Sequence, residues 1–166
     1  PEFDEAEKGI QDRIARLMSI KGSQSVDSLH KKLGHIMWDF VGMGREREGL
    51  EKAIVALKEL KKEFWSDVRI PGKADDLNVE LEKALRLADF IEIGELMARD
   101  AHDREESCGG HFRLEHQTPE GEALRHDDQF AYVSCWEYQG EDQDPVLLKE
   151  PLDYEFVVRQ QRNYKN

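Results

Sequence analysis

Apolar residues recur at steps of three and four over the first hundred positions, the period of amphipathic helices. Ile10, Ile14, Leu17 and Met18 predict a short first helix that Gly22 ends. Ser25 is a candidate N-cap for a second, in which Val26, Leu29, Leu33, Ile36, Met37 and Phe40 share a face and Gly42 and Gly44 supply the stop. A third runs from Glu46 to Val68, with Leu50, Ile54, Leu57, Leu60, Phe64 and Val68 on one side and lysines on the other. Pro71-Gly72 turns the chain, and Asp75-Asp76 offers a cap for the longest helix. There Leu77, Leu81, Ala84, Leu85, Ala88 and Ile91 form the stripe expected to be buried, and the helical pattern runs to about Asp103. Trp38, Trp65, Phe40 and Phe64, also at helical spacing, are expected in the same core.

After Gly110 this period disappears. A loop rich in Gly, Pro and Glu follows, then Phe130–Tyr138 and Tyr154–Val158, aromatic and β-branched enough to predict strands. The fold class expected is mainly α: a three-helix up-down-up, spectrin-repeat-like bundle with a short extra N-terminal helix and an irregular C-terminal extension containing one or two short strands. Residues 1–24 form the lead-in, 25–113 the bundle, and 114–166 the acidic loop and extension.

The 166 residues suffice to bury one core. No apolar run approaches the ~18 residues a spanning helix needs, and the start at Pro1-Glu2-Phe3 without Met reads as a piece cut from a longer chain. The net charge of -12 repels nucleic-acid phosphates, which argues against nucleic acid as a partner. That charge is uneven: residues 75–155 carry 23 acidic against 7 basic side chains, whereas residues 10–74 are mildly basic. The chain is thus expected to have two differently built parts. Two cysteines, Cys108 and Cys135, are too few for a disulfide framework.

Candidate chemistry is sparse. Gly42-Met-Gly44-Arg-Glu-Arg47 has Arg where a dinucleotide fingerprint needs its third glycine and follows a helix rather than a strand, so it reads as a helix stop. His102, His111, His116 and His126 crowd the region after the last helix, but Cys108-Gly-Gly-His111 is the only pair at zinc-ligand spacing, and no second pair matches it. The same Cys108 and His111 could be a thiol and its base, without an accompanying oxyanion motif. Glu105-Glu106 and Asp127-Asp128 could do acid–base work, but in so acidic a stretch they read as solvated charge or partner contact. No catalytic, cofactor-binding or metal-binding residue is assigned.

Read in order, Met37-Trp38, Gly42, Arg45, Gly49-Leu50 and then Ala101-x-x-Arg104-x-Glu106-Ser107-x-Gly109-x-His111-x-Arg113 form an ordered motif set. It resembles the C-terminal domain of the flavoprotein subunit of succinate dehydrogenase/fumarate reductase, in which M-W-x-x-x-G-x-x-R-x-x-x-G-L precedes R-x-E-S-R-G-A-H-x-R. Arg125-His-Asp127-Asp128 is similar to that family's R-D-D, and Pro145-Val146, Pro151, Arg162 and Tyr164 resemble its closing residues. Cys108 stands where the family has Arg and Gly110 where it has Ala, and Leu114–Leu124 is longer and more polar than the family's E-D-Y-P. L-aspartate oxidases share the bundle and loop but stop soon after them, whereas more than fifty residues follow here.

The resemblance implies a non-catalytic domain of a subunit that interconverts succinate and fumarate with FAD. The flavin and substrate residues would lie in upstream FAD-binding and capping domains. The implied partners are those two domains, an iron–sulfur subunit and, indirectly, a membrane cytochrome b/quinone subunit, with the complex peripheral on the cytoplasmic face of the cell membrane. Candidate interdomain or subunit contacts are Ser107, Cys108, Gly109, His111, Arg113, Asp127 and Asp128. The glycines permit close backbone approach, and His111 and Arg113 can hydrogen-bond across an interface. A loop that only caps its own bundle would use the same residues. An L-aspartate oxidase-like domain, an independent metal-binding protein and a helical adaptor are the other readings.

Overall fold

The computed structural model describes residues 1–140 and 143–160; Arg162 and Tyr164 lie outside the described residues. Four long helices carry the fold: α1 (Glu2–Ser19), α2 (Val26–Val41), α3 (Arg47–Asp67) and α4 (Val79–Asp103). Helices α2, α3 and α4 pack against one another around Leu29, Leu33, Leu50, Leu57, Phe64, Leu87 and Ile91, the expected up-down-up bundle.

Two short parallel ladders set the helix directions. β1 (Gln24–Ser25), entering α2, pairs with β3 (Val68–Arg69), leaving α3, so these helices run antiparallel. β2 (Gly44–Arg45), between α2 and α3, pairs with β4 (Phe112–Arg113), which follows α4. The C-terminus of α4 therefore lies at the α2–α3 turn, and α4 runs parallel to α2.

Ser25 caps α2 as expected, its hydroxyl accepting from the Ser28 N–H. α4 is capped by Asn78, whose Oδ1 accepts from the Leu81 N–H, and not by Asp75-Asp76. Leu77, expected in the buried stripe, thus precedes the helix and is 100% exposed. Trp38 is 84% exposed. It lies five residues from Leu33, about 140° round the cylinder, which turns it away from the core.

The first helix is longer than its short stripe suggests. Ile14, Leu17 and Met18 pack on the bundle, Arg13 pairs with Asp89 at 2.6 Å, and Arg16 stacks over Trp65. Its N-terminal half leaves Phe3 and Ile10 exposed. α1 ends at Ser19, before Gly22, and Gly22 serves a different purpose: a Cβ there would sit 1.9 Å from the Asp67 carbonyl oxygen. Only glycine lets the chain cross the end of α3, where the Asp67 carboxylate accepts from both the N–H and the hydroxyl of Ser23.

The extension contains one helical turn, α5 (Asp127–Phe130), and an antiparallel hairpin of β5 (Tyr132–Glu137) and β6 (Val146–Pro151). The first strand falls within the predicted Phe130–Tyr138. The second lies upstream of Tyr154–Val158, which is not a strand, because pairing with β5 selects the segment its connection can fold back. The hairpin docks on the last turns of α4 through Trp136 Nε1–H to Asp100 (3.1 Å) and Tyr132 O–H to Asp103 (2.9 Å). Asp144 receives Arg99 at 2.6 Å and Lys58 at 2.7 Å.

Candidate functional site

The motif residues meet at one end of the bundle, where α4 stops and the following loop doubles back. Cys108 and His111 exchange both backbone hydrogen bonds, at 2.8 and 3.0 Å, around Gly109-Gly110. Gly109 has φ +59°, a conformation that side chains resist, so this tight turn depends on it. The turn reverses the chain and delivers Arg113 beneath the end of α4.

Arg113 is 1% exposed. Its Nη1 donates to the carbonyls of Ala101 (3.0 Å), His102 (3.3 Å) and Arg104 (3.5 Å), and its Nε to Glu115 at 3.2 Å. A helix leaves its last carbonyls without intrahelical donors, and this guanidinium supplies them from within the fold. Ser107, with 0% exposure, accepts from the Arg113 N–H at 2.8 Å and donates to its carbonyl at 3.2 Å. These two candidates thus direct their polar groups inward, as a loop capping its own bundle does.

Two arginines and a glutamate outside the candidate set complete the end of the bundle. Arg45 donates from Nε to the Gly42 carbonyl (2.8 Å) and from Nη1 to His111 Nδ1 (2.9 Å). His111 Nε2 lies 2.8 Å from the Arg104 carbonyl. This network assigns the proton to Nε2 and the lone pair to Nδ1. Burial pushes the His111 pKa down and the nearby arginines reinforce that, against the Arg104 carbonyl, which favours the charged form. With both nitrogens engaged, His111 offers no free ligand atom, so Cys108-Gly-Gly-His111 forms a structural turn.

Arg104 reaches the other way, donating to the carbonyls of Phe130 (2.9 Å) and Tyr132 (3.1 Å) and tying α5 and β5 to the bundle. Its carboxylate partner is Glu106, 3.1 Å away. Glu106, read from sequence as solvated or partner-facing, is 2% exposed and accepts also from the His126 N–H. Glu105 pairs with Arg47, and Asp127 accepts from Arg125 Nε at 2.8 Å. Much of the acidity therefore serves internal cations and N–H groups. The sequence signal for Arg45, Arg104 and Glu106 was present, since all three stand in the ordered motif set.

Glu115 shows the same economy. Burial pushes its carboxyl up, but the Arg47 N–H, the Arg113 guanidinium and its own backbone N–H outweigh burial and bring it down to about 2. It thereby occupies the N-terminus of α3, where Arg47 N–H points at its Oε1. That matters for FAD, which the resemblance implies for the parent subunit. Gly42 and Gly44 precede the very helix end that Glu115 fills, and they follow a helix, not a strand. These residues do not fit a dinucleotide pyrophosphate.

Cys108, Gly109, His111, Asp127 and Asp128 remain at least partly accessible at this end. Nearby, Met43 in the α2–α3 connection and Trp38 on α2 are 85% and 84% exposed. Among the described residues no helix is long and apolar enough to cross a membrane.

Residues 30–164 match the family model described as fumarate reductase flavoprotein C-term. The chain is 32% identical over 113 residues to the fumarate reductase flavoprotein subunit of Proteus vulgaris, covering 68% of this chain and 19% of that one. It is 23% identical over 162 residues to the succinate dehydrogenase flavoprotein subunit of Bacillus subtilis, covering 98% and 26%. A solved E. coli quinol fumarate reductase matches the fold with a TM-score of 0.75 at 24% identity, over 95% of this chain and 26% of that chain. The chain spans about a fifth to a quarter of the length of these relatives. With the ordered motifs gathered at one end of the bundle and the family model covering residues 30–164 of the 166, the chain belongs to the fumarate reductase flavoprotein C-terminal family.

Proposed function

We propose that this chain is the non-catalytic C-terminal domain of a subunit that interconverts succinate and fumarate with FAD held by upstream domains. On this reading it buttresses the FAD-binding and capping domains and offers surface to an iron–sulfur subunit, through which electrons pass to or from a membrane quinone. The complex would be peripheral on the cytoplasmic face of the cell membrane. The observation that carries the reading is the family match over residues 30–164 in a chain spanning only a fifth to a quarter of its relatives.

On this reading the candidate contact residues divide into two groups. Ser107 and Arg113 shape the loop from inside, while Cys108, Gly109, His111, Asp127 and Asp128 present its accessible face. Residues 25–113 with the docked extension form the buttress, and residues 1–24 the lead-in.

The test is flavin binding and succinate oxidation by the purified chain. Absence of both, with flavin binding restored when the upstream part of the same gene is co-expressed, is the expected result. Stoichiometric flavin on the isolated chain would overturn the assignment.

A further inference from the structure

An open cleft of about 620 Å³ lies between the last turns of α4, the Cys108–His111 turn and β5. Arg45, Asp100, Arg104 and His111 are among its polar lining residues, and Met97 and Trp136 belong to its apolar lining. Cys108 and His111, which the buttress reading assigns to the contact face, also line it.

Its charges are not closed internally. Arg113 has Glu115 and Arg104 has Glu106 as ion-pair partners, at 3.2 and 3.1 Å. Among the described residues no carboxylate comes within ion-pair distance of Arg45, which spends its bonds on a carbonyl and a neutral imidazole. A guanidinium has five N–H donors, so donors remain for a further acceptor. Asp100 acts on Arg45 electrostatically, but its Oδ1 accepts from the Trp136 indole. Ser134 also belongs to the lining, though its Oγ is shielded from solvent and has no hydrogen-bond partner. Buried hydroxyls without a partner are rare in folded proteins.

We propose that this cleft binds an organic carboxylate, with Arg45 as the charge partner and the Met97–Trp136 surface covering the body of the acid. The planar fork of Arg matches a carboxylate. Largely apolar walls with a few polar groups are the usual setting for a small organic ligand. A dianionic phosphate fits less well, because Asp100 faces the same space and Arg104 is already neutralised by Glu106.

Titration of the purified chain with phenylacetate, followed through the Trp136 indole N–H resonance, tests the site. The expected result is a saturable shift in the millimolar range, at least about tenfold weaker for neutral phenylethanol and for inorganic phosphate. Arg45→Gln should weaken phenylacetate by at least about tenfold. Because Arg45 also braces the α2–α3 connection, Met97→Glu provides an independent variant: Met97 is already half exposed, and a carboxylate there should repel the ligand to a similar degree, about tenfold. No saturation up to about 50 mM, equal binding of phenylethanol, tighter binding of phosphate, or full binding by Met97→Glu would each overturn the proposal. None of these outcomes depends on whether the chain belongs to a flavoprotein subunit.

Discussion

Arg113 donates to backbone carbonyls that α4 leaves open at its end, and it does so while almost wholly buried. Arg113→Met keeps the volume but removes the donors, leaving carbonyls unsatisfied and Glu115 without its cation. The expected loss is about 3 kcal/mol of unfolding free energy, read by urea denaturation. Glu115 makes a pH prediction. Its folded pKa of about 2 lies below the usual carboxylate value of 4.5, so its contribution is fully present above pH 4.5 and is lost as pH falls through about 2. Glu115→Gln should flatten the stability profile in that window, and an unchanged acid limb would contradict the assignment. The candidate residues were legible because they sit in an ordered motif. Their roles were not, because residue type does not distinguish an arginine that reaches a partner from one that reaches back to its own helix.

At the scale of elements, the stripes of α2, α3 and α4 were readable from their period, since each buries one face against the others. The ends were less so. Asp75, Asp76 and Asn78 are all competent caps, and the choice fell to Asn78, whose amide also donates to the carbonyls of Pro71 and Lys73 and so closes the preceding turn. Asn78→Ala should therefore cost about 1 kcal/mol or somewhat more, while Asp76→Ala stays within about 0.5 kcal/mol, compared by thermal unfolding. Equal effects would mean that the cap lies elsewhere. The two-residue parallel ladders had no sequence signal of their own, because their pairing is fixed by where the helices end. The hairpin was half legible: β5 carries its aromatic pattern, but β6 is chosen by pairing with β5 rather than by its own composition, and Tyr154–Val158 has the composition without the partner.

For the whole molecule, the uneven charge now has a structural account. Carboxylates at the end of α4 and in the extension, Glu105, Glu106, Asp127 and Asp144, pair with Arg47, Arg104, Arg125 and Arg99 and so close the end of the bundle where the motifs meet. The large apolar side chains left outside, Trp38 and Met43 beside that end and Phe3 and Ile10 along α1, are the surface a buttress would bury. The most direct test of the central claim is the mass and absorbance spectrum of the native polypeptide that carries this sequence, isolated from its source. The account predicts a chain several times longer than 166 residues that retains flavin and oxidises succinate or reduces fumarate. A free-standing polypeptide of about 19.3 kDa without flavin would contradict it.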